Sequence, residues 1–148
     1  GDVYKRQVSG FGVAPVITSA DSAVSCSATA GQSATIDVNV SQLQTNETTS
    51  LQVASAIFSD TDNNNDSSYN LKVTASGVSS SFGTNDFGVA TGAGVDLGTV
   101  TLAEGTITVT VDVDVNINAS TDTLTITWVL FDGTNHSNTA TTVVTFNG

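Results

Sequence analysis

Residues 107–117 read Ile-Thr-Val-Thr-Val-Asp-Val-Asp-Val-Asn-Ile, with an apolar residue at every odd-numbered position and a polar residue at every even-numbered one. A period of two places alternate side chains on opposite faces of an extended chain. This stretch therefore predicts a β-strand with one buried face and one wet face. An amphipathic helix would need a period of 3.6 residues, which the stretch does not have.

The same alternation recurs on both sides of this stretch. Val24, Cys26 and Ala28 alternate with polar residues and predict a first strand, and Asp132-Gly133 predicts a hairpin loop. Further strands are predicted at 33–41, 51–58, 69–75, 95–102, 124–130 and 140–146. The pattern predicts an all-β fold, an antiparallel immunoglobulin-like or jelly-roll β-sandwich of seven to eight strands with an extended N-terminal arm.

Composition agrees with a β fold and narrows the range of functions. The 148 residues include 42 Ser plus Thr but only 2 Glu and no Met, so strong helix formers are scarce. A net charge of −11 with 3 Lys plus Arg argues against nucleic acid as a partner. No run of 18 apolar residues occurs, so no membrane span is predicted in this chain. An acidic, Ser/Thr-rich surface suits an extracellular protein in salty water.

The first residues are predicted not to belong to the protein. Asp2–Gln7 match the translation of GATGTGTATAAGAGACAG, a transposon end used in sequencing libraries, so residues 1–7 read as an adapter artefact in a metagenomic sequence. Without them the charge becomes 1 − 13 = −12, with Lys72 against 14 − 1 acids. A signal peptide or an N-terminal helix could have preceded Val8. We expect residues 8–29 to form an arm with a first strand, and residues 30–148 to form the sandwich.

The arm is the first candidate for a functional segment. It is small and Gly-containing, its apolar residues are Val13, Val16 and Ile17, and Pro15 cannot donate to a strand ladder. An apolar extension before a complete sandwich is stabilised if it pairs with the sheet edge of a neighbouring copy. We therefore expect these three residues to lie between subunits. The alternative is a disordered leader.

A second candidate is the acidic loop at residues 60–66. Asp60, Asp62, Asn64 and Asp66 place oxygen side chains at alternate positions, a pattern that can converge on a Ca²⁺ ion. The loop resembles the first half of an EF-hand, with Asn65 where that motif has Gly and Leu71 where it has Glu. The alternative is an ordinary polar loop rich in turn formers. No other cofactor is predicted.

Residue types that carry catalysis are few, and the chain is predicted not to be an enzyme. His136 is the single His and falls in a loop, where a Ser–His–Asp arrangement would need it buried beside Ser137. Asp112 and Asp114 share one strand face at the spacing of an acid pair, but exposed acids on a wet face are far commoner. Trp128 is predicted as a core aromatic and Cys26 as a small buried residue.

Glycosylation is compatible with a surface protein but only weakly indicated. Candidate Asn-x-Ser/Thr sites lie at Asn39, Asn46, Asn65, Asn118 and Asn135. Twelve Asn in a chain so rich in Ser and Thr give three to four such sites by chance.

Three segments resemble known families. Residues 31–40, Gly-Gln-Ser-Ala-Thr-Ile-Asp-Val-Asn-Val, look like the early strand of immunoglobulin-like domains in prokaryotic surface proteins, and residues 137–146 look like their last strand. Residues 8–11, Val-Ser-Gly-Phe, resemble the junction before the β-domain of archaeal pilins. The arm also suits strand-donating pilus subunits. These resemblances imply a structural subunit of a cell-surface filament whose partners are other copies of itself. The alternatives are an adhesion or glycan-binding module, and a virion decoration or tail domain.

Overall fold

The structure, a computed structural model, describes residues 13–44, 47–59, 71–78, 85–87, 95–113 and 122–147. Every regular element in these ranges is a β-strand. The ten strands are β1 (Val16–Ala20), β2 (Ala23–Ser27), β3 (Ser33–Ser41), β4 (Ser50–Ser59), β5 (Leu71–Ala75), β6 (Asn85–Phe87), β7 (Val95–Thr99), β8 (Gly105–Val113), β9 (Asp122–Phe131) and β10 (Ala140–Asn147).

The strands form two five-stranded sheets that enclose one core. One sheet has the order β1-β3-β8-β5-β6 and the other has the order β2-β10-β9-β4-β7. Taken in chain order, β1, β3, β4, β5, β8, β9 and β10 pair as strands A to G of a constant-type immunoglobulin domain do. The predicted all-β sandwich is confirmed. Of the two predicted strand orders, immunoglobulin-like and jelly-roll, the structure has the immunoglobulin-like one.

Alternation along the strands explains which side chains fill the core. On β8, Ile107, Val109 and Val111 are each 0% exposed, and the intervening Thr108 and Thr110 face outward. Trp128 of β9 is also 0% exposed, and its Nε1 donates a hydrogen bond to Oγ1 of Thr142 at 2.9 Å. A buried indole N–H needs such a partner. The prediction that Trp128 is a core aromatic is confirmed.

The strand count and the arm differ from the sequence prediction. β1 and β6 were not predicted, and β2 runs parallel to β10, whereas the other named pairs are antiparallel. β1 pairs with β3 of its own chain and β2 pairs with β10, so both belong to the sandwich. From Val16 onward, residues of the expected arm at 8–29 therefore pair within the two sheets. Residues 1–12, which include the adapter-like segment, lie outside the described ranges.

Candidate assembly edges and the predicted sites

The first edge strand, β1, is closed off by a side chain from the other sheet. Asn138, just before β10, accepts a hydrogen bond from Ile17 N at 2.9 Å and donates one to Ile17 O at 2.8 Å. These are the main-chain groups that a further strand would need. Ile17 is itself 3% exposed and packs in the core. The domain itself therefore buries Ile17, and a contact between Ile17 and a neighbouring subunit stays a prediction.

The other two residues predicted at a subunit contact lie beside this closed edge. Val16 is half-buried and pairs in register with Ser41 of β3. Val13, before β1, is 39% exposed. The three residues therefore do not form one accessible apolar segment. The structure describes one copy of the chain, so donation of a strand to a neighbour stays a prediction.

The connection between β1 and β2 takes the chain from one sheet to the other. Asp21 N donates to Asp37 O at 3.0 Å, and Asp21 Oδ2 accepts from Asp37 N at 2.8 Å, which ties the connection to β3. Thr142 Oγ1 donates to Asp21 O at 2.6 Å, which ties it to β10. The crossing is thus held by both sheets.

The second edge strand, β2, has main-chain groups that point outward. Val143 N donates to Ser22 O and Ala28 N donates to Asn147 O, so even-numbered residues of this segment face β10. Alternate residues of a parallel ladder point their N–H and C=O groups to opposite sides. Ala23, Ser25 and Ser27 therefore direct theirs away from β10, at the edge of the sheet. The opposite edge of the same sheet is β7.

A cleft of about 250 Å³ lies between the β3–β4 and β7–β8 connections. Its lining includes Leu43, Glu47, Thr49 and Leu102. Oε1 of Glu47 is buried there and has no hydrogen-bond partner within the described part of the chain. A carboxylate in this position favours a cationic group over an anionic one. No pattern in the sequence marks this cleft.

The predicted metal loop is not tested by the structure. Asp60, Asp62, Asn64 and Asp66 lie between β4 and β5, outside the described residues, and the Ca²⁺ hypothesis stays a prediction. Within the described ranges, no group of three or more His, Cys, Asp or Glu side chains is placed to hold a metal ion.

Candidate catalytic residues have structural contacts. The ring of His136 stacks on Phe131 with centroids 4.3 Å apart. The Ser137 hydroxyl donates to Asn138 O at 2.6 Å and accepts from Leu130 N at 2.8 Å. Its proton is therefore directed at a main-chain carbonyl. Asp112 is half-buried on β8, and Asp114 lies outside the described residues. That the chain is not an enzyme stays a prediction.

Cys26 is a free, buried cysteine with 3% exposure, as its place in the alternating pattern predicted. Burial raises the pKa of the Cys26 thiol above its ordinary value of 9.0, and the charge of Asp112 adds to this effect. The thiol donates to Ser27 O at 3.4 Å. Cys26 is therefore a neutral core residue at physiological pH.

The glycosylation candidates are also untested. Asn39 is on β3 and bonds through its side chain to Ser19 and Thr106. Asn135 is half-buried in the β9–β10 loop. Asn46, Asn65 and Asn118 lie outside the described residues. Among the described residues, no helix has the length and apolar character to cross a membrane.

Comparisons with known proteins show a shared fold. No family model and no curated protein matches the sequence. The CooA pilin subunit from enterotoxigenic Escherichia coli has a TM-score of 0.53 at 12% identity, covering 91% of this chain and 99% of that chain. The N-terminal domain of PorA has a TM-score of 0.50 at 10% identity, covering 90% of this chain and 99% of that one. At these identities the likeness establishes the fold.

Two features of the site escaped sequence reasoning. Asn138 lies just before the strand predicted at 140–146, and nothing in its neighbourhood signals a partner 121 positions away. The crossing at Asp21 was likewise read as part of an arm. Ser-rich alternation in residues 23–27 was the available signal for β2, and it did predict a strand there.

Proposed function

We propose that this chain is a structural subunit of an extracellular filament or pilus, built from copies of itself that join through β-strand contacts. The observation that carries the proposal is the fold shared with the CooA pilin subunit over nearly the full length of both chains. The acidic, Ser/Thr-rich composition supports a location at the cell surface. The role needs neither a catalytic residue nor a cofactor.

The edges of the second sheet supply a route for assembly. β2 and β7 lie at opposite ends of the order β2-β10-β9-β4-β7. An exposed sheet edge accepts another strand through main-chain hydrogen bonds. If β2 of one copy lies beside β7 of the next, before the bridge that Val100 makes with Val78, the sheet continues from copy to copy. Such a head-to-tail contact generates an open filament when its rotation does not close into a ring.

The β2 edge replaces the arm as the expected contact. At Ile17, β1 is occupied on both sides, by β3 and by Asn138, whereas Ala23, Ser25 and Ser27 turn their main-chain groups outward. Assembly through β2 leaves the monomer fold intact. Assembly by donating β1 would instead remove Ile17 from its own core.

Ser25→Pro tests this edge. Proline removes an N–H that points away from β10 and adds a ring at the edge, so the β2–β10 ladder keeps its bonds. The matched control is Ser25→Ala, which keeps the N–H. By negative-stain microscopy we expect filaments from the wild type and from Ser25→Ala, and none from Ser25→Pro. Circular dichroism checks that all three proteins are folded.

Two experimental results would contradict the proposed assembly. Filaments of normal length from folded Ser25→Pro would show that β2 is not the joining edge. If the wild type forms no filaments at seawater salt with Ca²⁺ present, the filament role itself is wrong. The adhesion and virion alternatives would then have to be tested.

A further inference from the structure

Among the described residues, the outer face of the β2-β10-β9-β4 sheet carries no charged side chain. The register aligns its side chains in rows that cross the four strands. One row is Ala23, Val143, Thr125 and Ile57; its neighbours are Ser25, Thr145, Thr123 and Ser59 on one side and Thr141, Thr127 and Ser55 on the other. We call these three rows the neutral face. Ile57, at one end, is 62% exposed.

The opposite sheet has an acidic outer face. Asp37 on β3 and Asp112 on β8 lie among its outward positions. Acids near the neutral face lie at its margins: Asp21 precedes β2, and Asp96 on β7 pairs with Gln52. The chain carries a net charge of −11. Two copies therefore repel each other through most orientations but not through the neutral face.

We propose that the neutral face is a contact surface between two copies of this chain, sheet against sheet. A second copy is the occupant that the charges favour, because it brings the same uncharged surface to the contact. The exposed Ile57 and the half-buried Val143, which lie among Ser and Thr side chains, also gain from losing water. This dimer does not require a filament. The further step, in which neutral faces join filaments that lie side by side, rests on the proposed function.

The neutral face is complementary to itself. A two-fold axis that runs along the strands through the middle of the first row places Ile57 of one copy over Ala23 of the other. The largest side chain of the row then lies over the smallest, and Thr125 lies over Val143. Sheets that pack in this way are about 10 Å apart and nearly aligned.

The size of the neutral face sets the strength of the contact. Four strands spaced at about 4.8 Å and three rows spaced at about 7 Å give roughly 400 Å² per copy with side-chain margins. A stable interface of standard size buries about 800 Å² per partner. A single pair is therefore weak, and it forms at high protein concentration. Copies held side by side along a filament add their contacts and associate more strongly.

Thr125→Asp is the test, with Thr110→Asp as its matched control. Both threonines are half-buried at the middle of a sheet, Thr125 on the neutral face and Thr110 on the acidic face, and both changes add one charge. Sedimentation equilibrium on the full chain at seawater salt measures association, and thermal unfolding confirms that each variant is folded. We expect wild type and Thr110→Asp to dimerise alike, and Thr125→Asp to bind at least about tenfold more weakly.

The sedimentation results test dimerisation through the neutral face independently of the filament proposal. Lowering the salt should weaken dimerisation of the wild type, because the acidic surfaces outside the contact repel more. Equal dimerisation of wild type and Thr125→Asp, equal loss in both variants, or a wild type that stays monomeric at the highest soluble concentration would overturn it. In microscopy, Thr125→Asp should give single filaments where wild type gives lateral pairs. If no filaments form, the sedimentation comparison still stands alone.

Discussion

The side-chain amide of Asn138 occupies both main-chain groups of Ile17, taking the N–H at Oδ1 and the C=O at Nδ2. One amide group thus does for Ile17 what the peptide group of a neighbouring strand would do. It holds β1 at the edge of one sheet to the start of β10 in the other. The link spans 121 positions of sequence.

Removing this amide should loosen β1 without unfolding the sandwich. Asn138→Ala loses two hydrogen bonds, each worth about 0.5–1.5 kcal/mol, so we expect the free energy of unfolding to fall by about 1–2 kcal/mol. Urea denaturation measures it, and faster hydrogen exchange at the Ile17 amide would locate the effect. The control Asn147→Ala, at the exposed end of β10, should change stability by less than about 0.5 kcal/mol. Equal effects in the two variants would contradict the role given to Asn138.

Trp128 should report on the core. Because it is 0% exposed, its fluorescence should peak at short wavelength and shift to longer wavelength on unfolding. Trp128→Ala should cost about 3–5 kcal/mol in urea denaturation, the usual range for a buried aromatic residue. The outward neighbour Thr127, changed to Ala, should cost less than about 0.5 kcal/mol. A small cost for Trp128→Ala would mean that the two sheets do not pack around it.

Cys26 should make stability depend on alkaline pH. Its folded pKa is raised above 9.0, so above that pH the unfolded chain has lost the thiol proton while the folded chain retains it. The folded state then binds more protons, and the stability contributed by the neutral thiol is lost as pH rises from about 9. Urea midpoints of the wild type should fall over this range. The slope should be flatter in Cys26→Ala, and an unchanged slope would assign the alkaline loss to other groups.

Calcium should raise the melting temperature if the loop at residues 60–66 binds it. Ligands that bind the folded state stabilise it by mass action. The shift should disappear in the double variant Asp60→Ala, Asp62→Ala. It should persist in Asp96→Ala, Glu104→Ala, which removes the same amount of charge elsewhere. A shift that is the same in both double variants would reflect general screening, and no shift would favour the turn-former alternative.

Strands with strict alternation could be predicted from sequence nearly residue by residue. β3 begins and ends at the predicted residues, 33 and 41, because its period of two matches a strand with one buried face. β4 was harder, because the apolar residues of 51–58 do not alternate strictly with polar ones and so do not mark which face is buried. In the structure Ile57 points outward and is 62% exposed.

Strand partners at the edges could not be predicted. In β1 only Ile17 is fully buried, so no alternation marks the segment as a strand, and its position depends on Asn138. β2 was predicted as a strand, but its parallel partner is about 120 residues away, and a local pattern carries no information about such pairing. The neutral face could not be predicted for the same reason. Each of its rows joins residues from strands that are far apart in sequence.

The parallel pairing of β2 with β10 has a mechanical consequence. Tension applied between residue 13 and residue 147 would pull the beginning of β2 and the end of β10 in opposite directions along the ladder. The hydrogen bonds between the two strands would then be loaded together, in shear, whereas an antiparallel hairpin pulled from its open end loses them one after another. A domain whose terminal strands pair in parallel therefore resists stretching more strongly than its equilibrium stability alone would indicate. Forced unfolding depends on the unfolding rate rather than on the free energy of unfolding.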